Sequence, residues 1–192
     1  MRIITKDEFF LHIDEFEKKV KEGAVFVYPT DTIYGIGCDA TNNESVERIR
    51  ELKDRSSAPF SIIAPSLEWI RENCRIPPDA NEWLKKLPGP YTLILALKKL
   101  HCVAPSVTKD GKTLGVRMPK HWIRAMVRKL NIPLVTTSVN KTGKSFMRSI
   151  DDMDNDIKAR VHFIIDEGPL EHNPSNIIDL TGTTVTVTDR SR

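Results

Sequence analysis

Short apolar runs recur along the whole chain, each closed by Gly, Pro or a polar loop, and they alternate with stretches whose apolar residues repeat at helical spacing. This alternation constrains the fold more than any other feature. A brief, uninterrupted apolar run buries both faces of a strand, and the helical stretches between such runs must cover the resulting sheet. Ala24–Tyr28, Phe60–Ala64, Tyr91–Leu97, Leu114–Arg117, Ile132–Thr136, His162–Ile165, Ile177–Leu180 and Thr183–Thr188 read as strands. Thr5 and Glu8 form a capping-box pattern that opens a helix with Phe9, Ile13, Phe16 and Val20 on one face, and Gly23 stops it. Asn43 can cap a helix carrying Val46, Ile49 and Leu52. Further helices are expected over Leu67–Asn73, over Ala80–Leu87 with Asp79 as cap, from Pro119 to Leu130, and over Asp151–Arg160. Leu87-Pro88-Gly89-Pro90 is a sharp break, and His101–Lys112 reads as loop. The order predicts an α/β fold with a mixed sheet, in one domain over residues 1–192.

Composition narrows the setting. A chain of 192 residues can bury a full core without staples. Its 29 basic and 26 acidic side chains leave a net charge of +3, too small to argue for a general polyanion binder. The cysteines Cys38, Cys74 and Cys102 are odd in number and lack a C-x-x-C spacing, which argues for reduced thiols over a disulfide framework or a zinc knuckle. Met1–Val20 mixes charges with apolar residues and does not resemble a secretory signal, and no stretch is apolar enough to span a bilayer. A cytoplasmic protein with no membrane partner is the expectation.

In open α/β sheets, ligands gather beyond the carboxyl ends of strands. The loops at residues 30–37, 138–148 and 173–176 are expected there, and they carry the unusual side chains. Gly35 and Gly37 imply a backbone that is tightly turned or closely approached. Lys53 and Arg55 can form a phosphate clamp, or simply complement a helix C-terminus. Ser138, Asn140, Lys141, Gly143, Lys144 and Ser145 suit a phosphate or Mg²⁺ without the Walker A spacing, or an ordinary Asn/Gly turn. Arg117, between a strand and a helix, can recognise a carboxylate or be an edge cation. His101, His121 and His172 form no H-x-x-x-H pair, and Ser138 is not in a G-x-S-x-G elbow. Trp69, Trp83 and Trp122 read as packing residues.

Together and in this order, these segments resemble the YrdC-like threonylcarbamoyl-adenylate synthases. The resemblance rests on the motif from Tyr28 to Gly37, on Lys53-Asp54-Arg55, Leu87–Leu95, Val116–Pro119, Thr137–Gly143 and Pro174–Leu180. It implies a twisted mixed parallel/antiparallel sheet with flanking helices and a concave basic cavity. It also implies condensation of L-threonine, bicarbonate and ATP into threonylcarbamoyl-AMP and pyrophosphate, a nucleotidyltransferase reaction that feeds threonylcarbamoyladenosine modification of tRNA through a downstream transferase. Carried over by motif, Lys53, Arg55, Ser138 and Asn140 form the catalytic, nucleotide-binding set, joined by Lys144 and Arg190 at ATP. Thr32, Arg117 and Ser175 lie near threonine, and Ser138 is the protein group nearest a Mg²⁺ held through the phosphates. Two departures stand out. Pro174-Ser175-Asn176 replaces the family's P-S-T, and Phe60-Ser61-Ile62-Ile63 resembles the YciO-like branch. The alternative is a protein of the same fold that holds double-stranded RNA or tRNA through Lys141, Lys144 and Arg148 without chemistry. An adenylate-forming enzyme for another amino acid is the third reading.

Overall fold

The computed structural model describes residues 1–108 and 110–190. In chain order its strands are β1 (Arg2–Thr5), β2 (Phe26–Tyr28), β3 (Gly35–Gly37), β4 (Ser61–Ile63), β5 (Tyr91–Ala96), β6 (Thr113–Arg117), β7 (Leu134–Ser138), β8 (Phe163–Asp166), β9 (Asn176–Asp179) and β10 (Thr186–Thr188). The helices are α1 (Lys6–Leu11), α2 (Ile13–Lys21), α3 (Asn43–Leu52), α4 (Leu67–Asn73), α5 (Ala80–Leu84), α6 (Pro105–Thr108), α7 (Ile123–Leu130) and α8 (Asn155–Arg160), with a 3₁₀ turn at Ile150–Asp152. The strands form a ten-stranded mixed sheet in the order β1-β8-β2-β3-β7-β4-β6-β5-β9-β10. The pairs β1–β8, β2–β8, β4–β6 and β5–β9 are parallel. The others are antiparallel.

Several local expectations are corrected. The Thr5/Glu8 capping box forms, but the first helix breaks at His12 into α1 and α2. Asn42, not Asn43, caps α3 by accepting the Ser45 N–H, while the Asn43 amide oxygen accepts from Ser106 N. Asp79 makes no side-chain cap and is itself helical. The helix expected from Pro119 starts only at Ile123, and Asn131 ends it in the left-handed conformation at φ 54°. Part of the expected 101–112 loop is α6. Lys109, within it, lies outside the described residues. Two strands escape an apolar-run reading. β1 has one buried residue, and β3 is two glycines around Ile36. Gly37 is what lets β3 lie where it does: a Cβ there would meet the Val135 carbonyl oxygen at 2.0 Å.

Successive residues of a strand point to opposite faces, so β2, β4, β7 and β8 feed two cores. Val25, Val27, Ile62, Val135, Leu93 and Ile164 belong to the larger core, which includes Val46, Ile49 and Leu52 of α3. Their neighbours Phe26, Tyr28, Ile63, Leu134 and Phe163 belong to the second, under Phe9, Phe16 and Val20 and under Ile123, Met126, Val127 and Leu130 of α7. On this second face the apolar cover ends partway along the central strands. Ile63 of β4 and Leu134 of β7 are packed, while Ser61 and Thr136, two residues away on the same strands, line an open cavity. The site therefore lies where α1, α2 and α7 stop covering the sheet.

Candidate active site

The cavity has a volume of about 390 Å³. Its floor is built by strand alternation: Thr92 and Ile94 of β5, Thr113, Gly115 and Arg117 of β6, and Thr136 and Ser138 of β7. Small and hydroxyl-bearing side chains keep the floor low and polar. Gly115 pairs with Ser61 across β4–β6, and a Cβ on it would sit 2.5 Å from the Ser61 hydroxyl oxygen. The rim carries Tyr34, Arg55, Phe60, Phe146, Ser175 and Arg190. Three of the lining residues are arginines and none is acidic.

Arg117 anchors one end. It is buried and forms an ion pair with Asp31 at 3.0 Å, the two side chains being 8% and 10% exposed. The same Nη2 donates to the Thr32 hydroxyl at 3.1 Å. Asp31 in turn accepts the Lys120 backbone N–H at 2.8 Å. Thr30 fixes this loop by donating to the Ile33 carbonyl at 2.7 Å and lying 3.0 Å from the Thr32 hydroxyl. Among the described residues the buried Arg117 Nε has no hydrogen-bond partner. Desolvation lowers the Arg117 pKa and Asp31 opposes that shift. An arginine nonetheless stays charged.

Arg55 and Arg190 close the other sides with charges that, among the described residues, meet neutral partners. Arg55 donates to the carbonyls of Ala58 at 3.2 Å and Pro59 at 2.7 Å, and stacks 5.1 Å over the Phe60 ring. Arg50, buried behind it, shapes this turn by donating to the carbonyls of Arg55 and Ala58. Arg190 donates to the Ser175 carbonyl at 2.7 Å and to its hydroxyl at 3.2 Å, and the Ser175 hydroxyl lies 2.7 Å from that of Thr92. Asn176 accepts the Arg190 backbone N–H at 3.0 Å, so the residue that departs from the family's P-S-T pattern docks the C-terminal strand. Burial lowers the pKa of Arg190, and the nearby charge of Arg117 adds to that. Tyr34 braces the rim, its hydroxyl donating to Gly168 O at 2.7 Å and accepting from Glu167 N at 2.9 Å.

The structure brings Arg55, Ser138, Arg117, Ser175 and Arg190 together around one cavity. Thr32 stands behind Arg117 as its hydrogen-bond partner. Lys53 and Asn140 are not in the lining. Lys53 is 1% exposed, and burial followed by the charge of Arg55 pushes its pKa down to about 7. Lys144 is exposed, and its carbonyl accepts from the Asn140 amide at 2.6 Å. Lys141 is engaged by Asp156 at 3.1 Å and Asp54 at 4.0 Å, which weakens the phosphate-binding patch expected of it for RNA. The segment 173–176 follows β8 as expected, at the end of the connection that leads into β9. Among the described residues no group of His, Cys, Asp or Glu could hold a metal ion. No helix among them is long and apolar enough to cross a membrane. Sequence reading missed Asp31, Arg50, Thr92 and Gly115 as parts of the site. The signal for the last two was present: Thr113 and Gly115 stand two apart on β6, Thr136 and Ser138 two apart on β7, and Thr92 interrupts the apolar run of β5.

The chain belongs to the Sua5/YciO/YrdC family, described as telomere recombination, whose model matches residues 18–191. It is 34% identical over 190 residues to the threonylcarbamoyl-AMP synthase of Marinobacter nauticus, covering 92% of this chain and 95% of that one. The crystal structure of Escherichia coli YciO superposes with a TM-score of 0.83 at 27% identity, over 98% of this chain and 93% of that one. Pyrococcus abyssi Sua5, solved in complex with L-threonine, superposes with a TM-score of 0.83 at 30% identity. That match covers 97% of this chain but 56% of that Sua5.

Proposed function

We propose that this chain is a threonylcarbamoyl-AMP synthase. It condenses L-threonine, bicarbonate and ATP into threonylcarbamoyl-AMP, pyrophosphate and water, and its product is handed to a transferase that modifies tRNA. The observation that carries the reading is one cavity that brings a buried, carboxylate-paired arginine together with two arginines that, among the described residues, are paired to neutral groups. The first suits the carboxylate of a small amino acid, the other two a triphosphate. The relative of known name over almost its full length, and the threonine complex of a structural neighbour, support the same assignment.

In this reading Arg117, oriented by Asp31 and Thr32, pairs with the threonine carboxylate, and Ser175 and Thr92 receive the remainder of the amino acid. The amine takes up CO₂ derived from bicarbonate, forming the C–N bond of a carbamate and losing a proton. A carbamate oxygen then attacks the α-phosphorus, the bond to the β-phosphate oxygen breaks, and pyrophosphate leaves with its electron pair. Arg55 and Arg190 offset the charge that develops on the leaving group. The protein's work is positioning and charge neutralisation. Ser138 donates its proton to the Asn140 amide oxygen at 2.5 Å, so its lone pairs face the cavity. That donor suits a Mg²⁺ carried in on the phosphates, which would screen the triphosphate charge.

Purified protein with threonine, bicarbonate, ATP and Mg²⁺ is expected to release pyrophosphate only when threonine is present. Release that is absent, or indifferent to threonine, overturns the assignment. No separate observation favours RNA binding without chemistry.

A further inference from the structure

The segment 138–144 is wrapped around a single buried side chain. The Lys53 Nζ donates to the carbonyl of Ser138, to the carbonyl of Asn140 at 2.7 Å and to the Asn140 amide oxygen at 3.1 Å. The Lys53 carbonyl completes the clasp from the other side, accepting from Thr142 N at 2.9 Å and from the Thr142 hydroxyl at 2.8 Å. Asn140 then ties the far end of the loop, its amide donating to the carbonyls of Lys141 at 3.0 Å and Lys144 at 2.6 Å. The Ser138 hydroxyl is the only polar group of this cluster that both belongs to the clasp and lines the cavity.

An ammonium carries three N–H donors. All three of Lys53 are directed at oxygens of the loop, and the side chain is 1% exposed. A fourth donor for a phosphate does not exist, and reaching one would break one of these bonds to the loop. We propose that Lys53 is a positioning residue: it clamps the 138–144 loop so that Ser138 presents its oxygen to the cavity, and it does not itself contact the nucleotide. The proposal rests on the synthase reading for what Ser138 meets, but the clamp stands independently of it. The Lys53, Arg55, Ser138 and Asn140 set thus divides in two. Arg55 and Ser138 face the ligand, and Lys53 and Asn140 hold Ser138 in place.

The test compares the full chain with K53M, K53R, T142V and R55Q. Hydrogen–deuterium exchange is read on peptides spanning 138–147, ATP binding by calorimetry, and KM for ATP and for threonine separately. With Lys53 as clamp, K53M speeds exchange of the 138–147 amides by about tenfold or more while the β-sheet stays protected. T142V, which removes a hydroxyl and no charge, does the same to a smaller extent. K53M raises the KM for ATP and leaves that for threonine within about twofold, because the Arg117 end is built by other segments. K53R does not restore the parent behaviour, since a planar fork cannot direct three donors at one convergent set of acceptors. The proposal is overturned if K53M leaves exchange at the parent level while ATP binding falls as far as in R55Q. It is also overturned if K53R binds ATP like the parent, as a plain phosphate contact would allow. Should K53M not fold, T142V decides: unchanged exchange over 138–147 removes the clamp. Failure of the parent chain to bind ATP would sink the synthase reading, and the exchange data would still report on Lys53.

Discussion

Arg117 and Arg55 line the same cavity and hold their charge in opposite ways. Arg117 is buried, paired to Asp31 and tied to Thr32, so its end of the site is prebuilt and close to neutral. Among the described residues Arg55 reaches backbone carbonyls and a ring face and no carboxylate, so its charge is uncompensated there. A rigid, neutralised guanidinium is selective for one small carboxylate, because little remains to be reorganised and little charge remains to attract other anions. An uncompensated one attracts polyanions with less regard for shape. The cavity therefore separates recognition by Arg117 from charge screening by Arg55.

The sharpest way to break this contrast is to remove each arginine in turn. R117M leaves the Asp31 carboxylate buried without its partner, and about 3 kcal/mol of folding stability should be lost together with threonine binding. Chemical denaturation and calorimetry would check both. R55Q should cost less than about 1 kcal/mol of stability yet reduce pyrophosphate release by about tenfold or more, with an ATP affinity that depends less on salt than the parent's. If R55Q destabilises as strongly as R117M, the two ends are not built differently.

A smaller effect is expected on the floor between them. G115V places carbon where the Ser61 hydroxyl lies 2.5 Å away, and should raise KM for both substrates while S61G in the same chain partly restores them. Smaller still, N176A releases the Arg190 backbone N–H and should cost about 1 kcal/mol in the docking of β10, read as faster amide exchange at 186–190. The least perturbing probe is thiol chemistry. Cys38 and Cys74 are buried with their pKa values raised by desolvation, so iodoacetamide should label the partly exposed Cys102 first and the other two only on unfolding.

Much of the scaffold is legible from local pattern. The strands seeded by Val, Ile, Leu and Phe runs lie within a few residues of where periodicity puts them, because burial on both faces leaves such runs few alternatives. The Thr5/Glu8 cap is likewise a contact within one turn. What escapes local reading depends on distant partners. Gly35–Gly37 is a strand only because Tyr28 and Thr137 lie across from it in β2 and β7. Asn42 takes the cap because Asn43 is wanted by Ser106, more than sixty residues on.

The candidate site divides along the same line. Which residue types are present, and that Arg55, Arg117, Ser138, Ser175 and Arg190 stand in segments of one family's pattern, is determined by the sequence alone. Their convergence, the pairing of Arg117 with Asp31, and the retreat of Lys53 behind the loop it holds are decided by the tertiary structure. The physical reason is that a charged side chain's role is set by how many of its donors are already satisfied, and satisfaction is a property of neighbours the chain brings together only on folding.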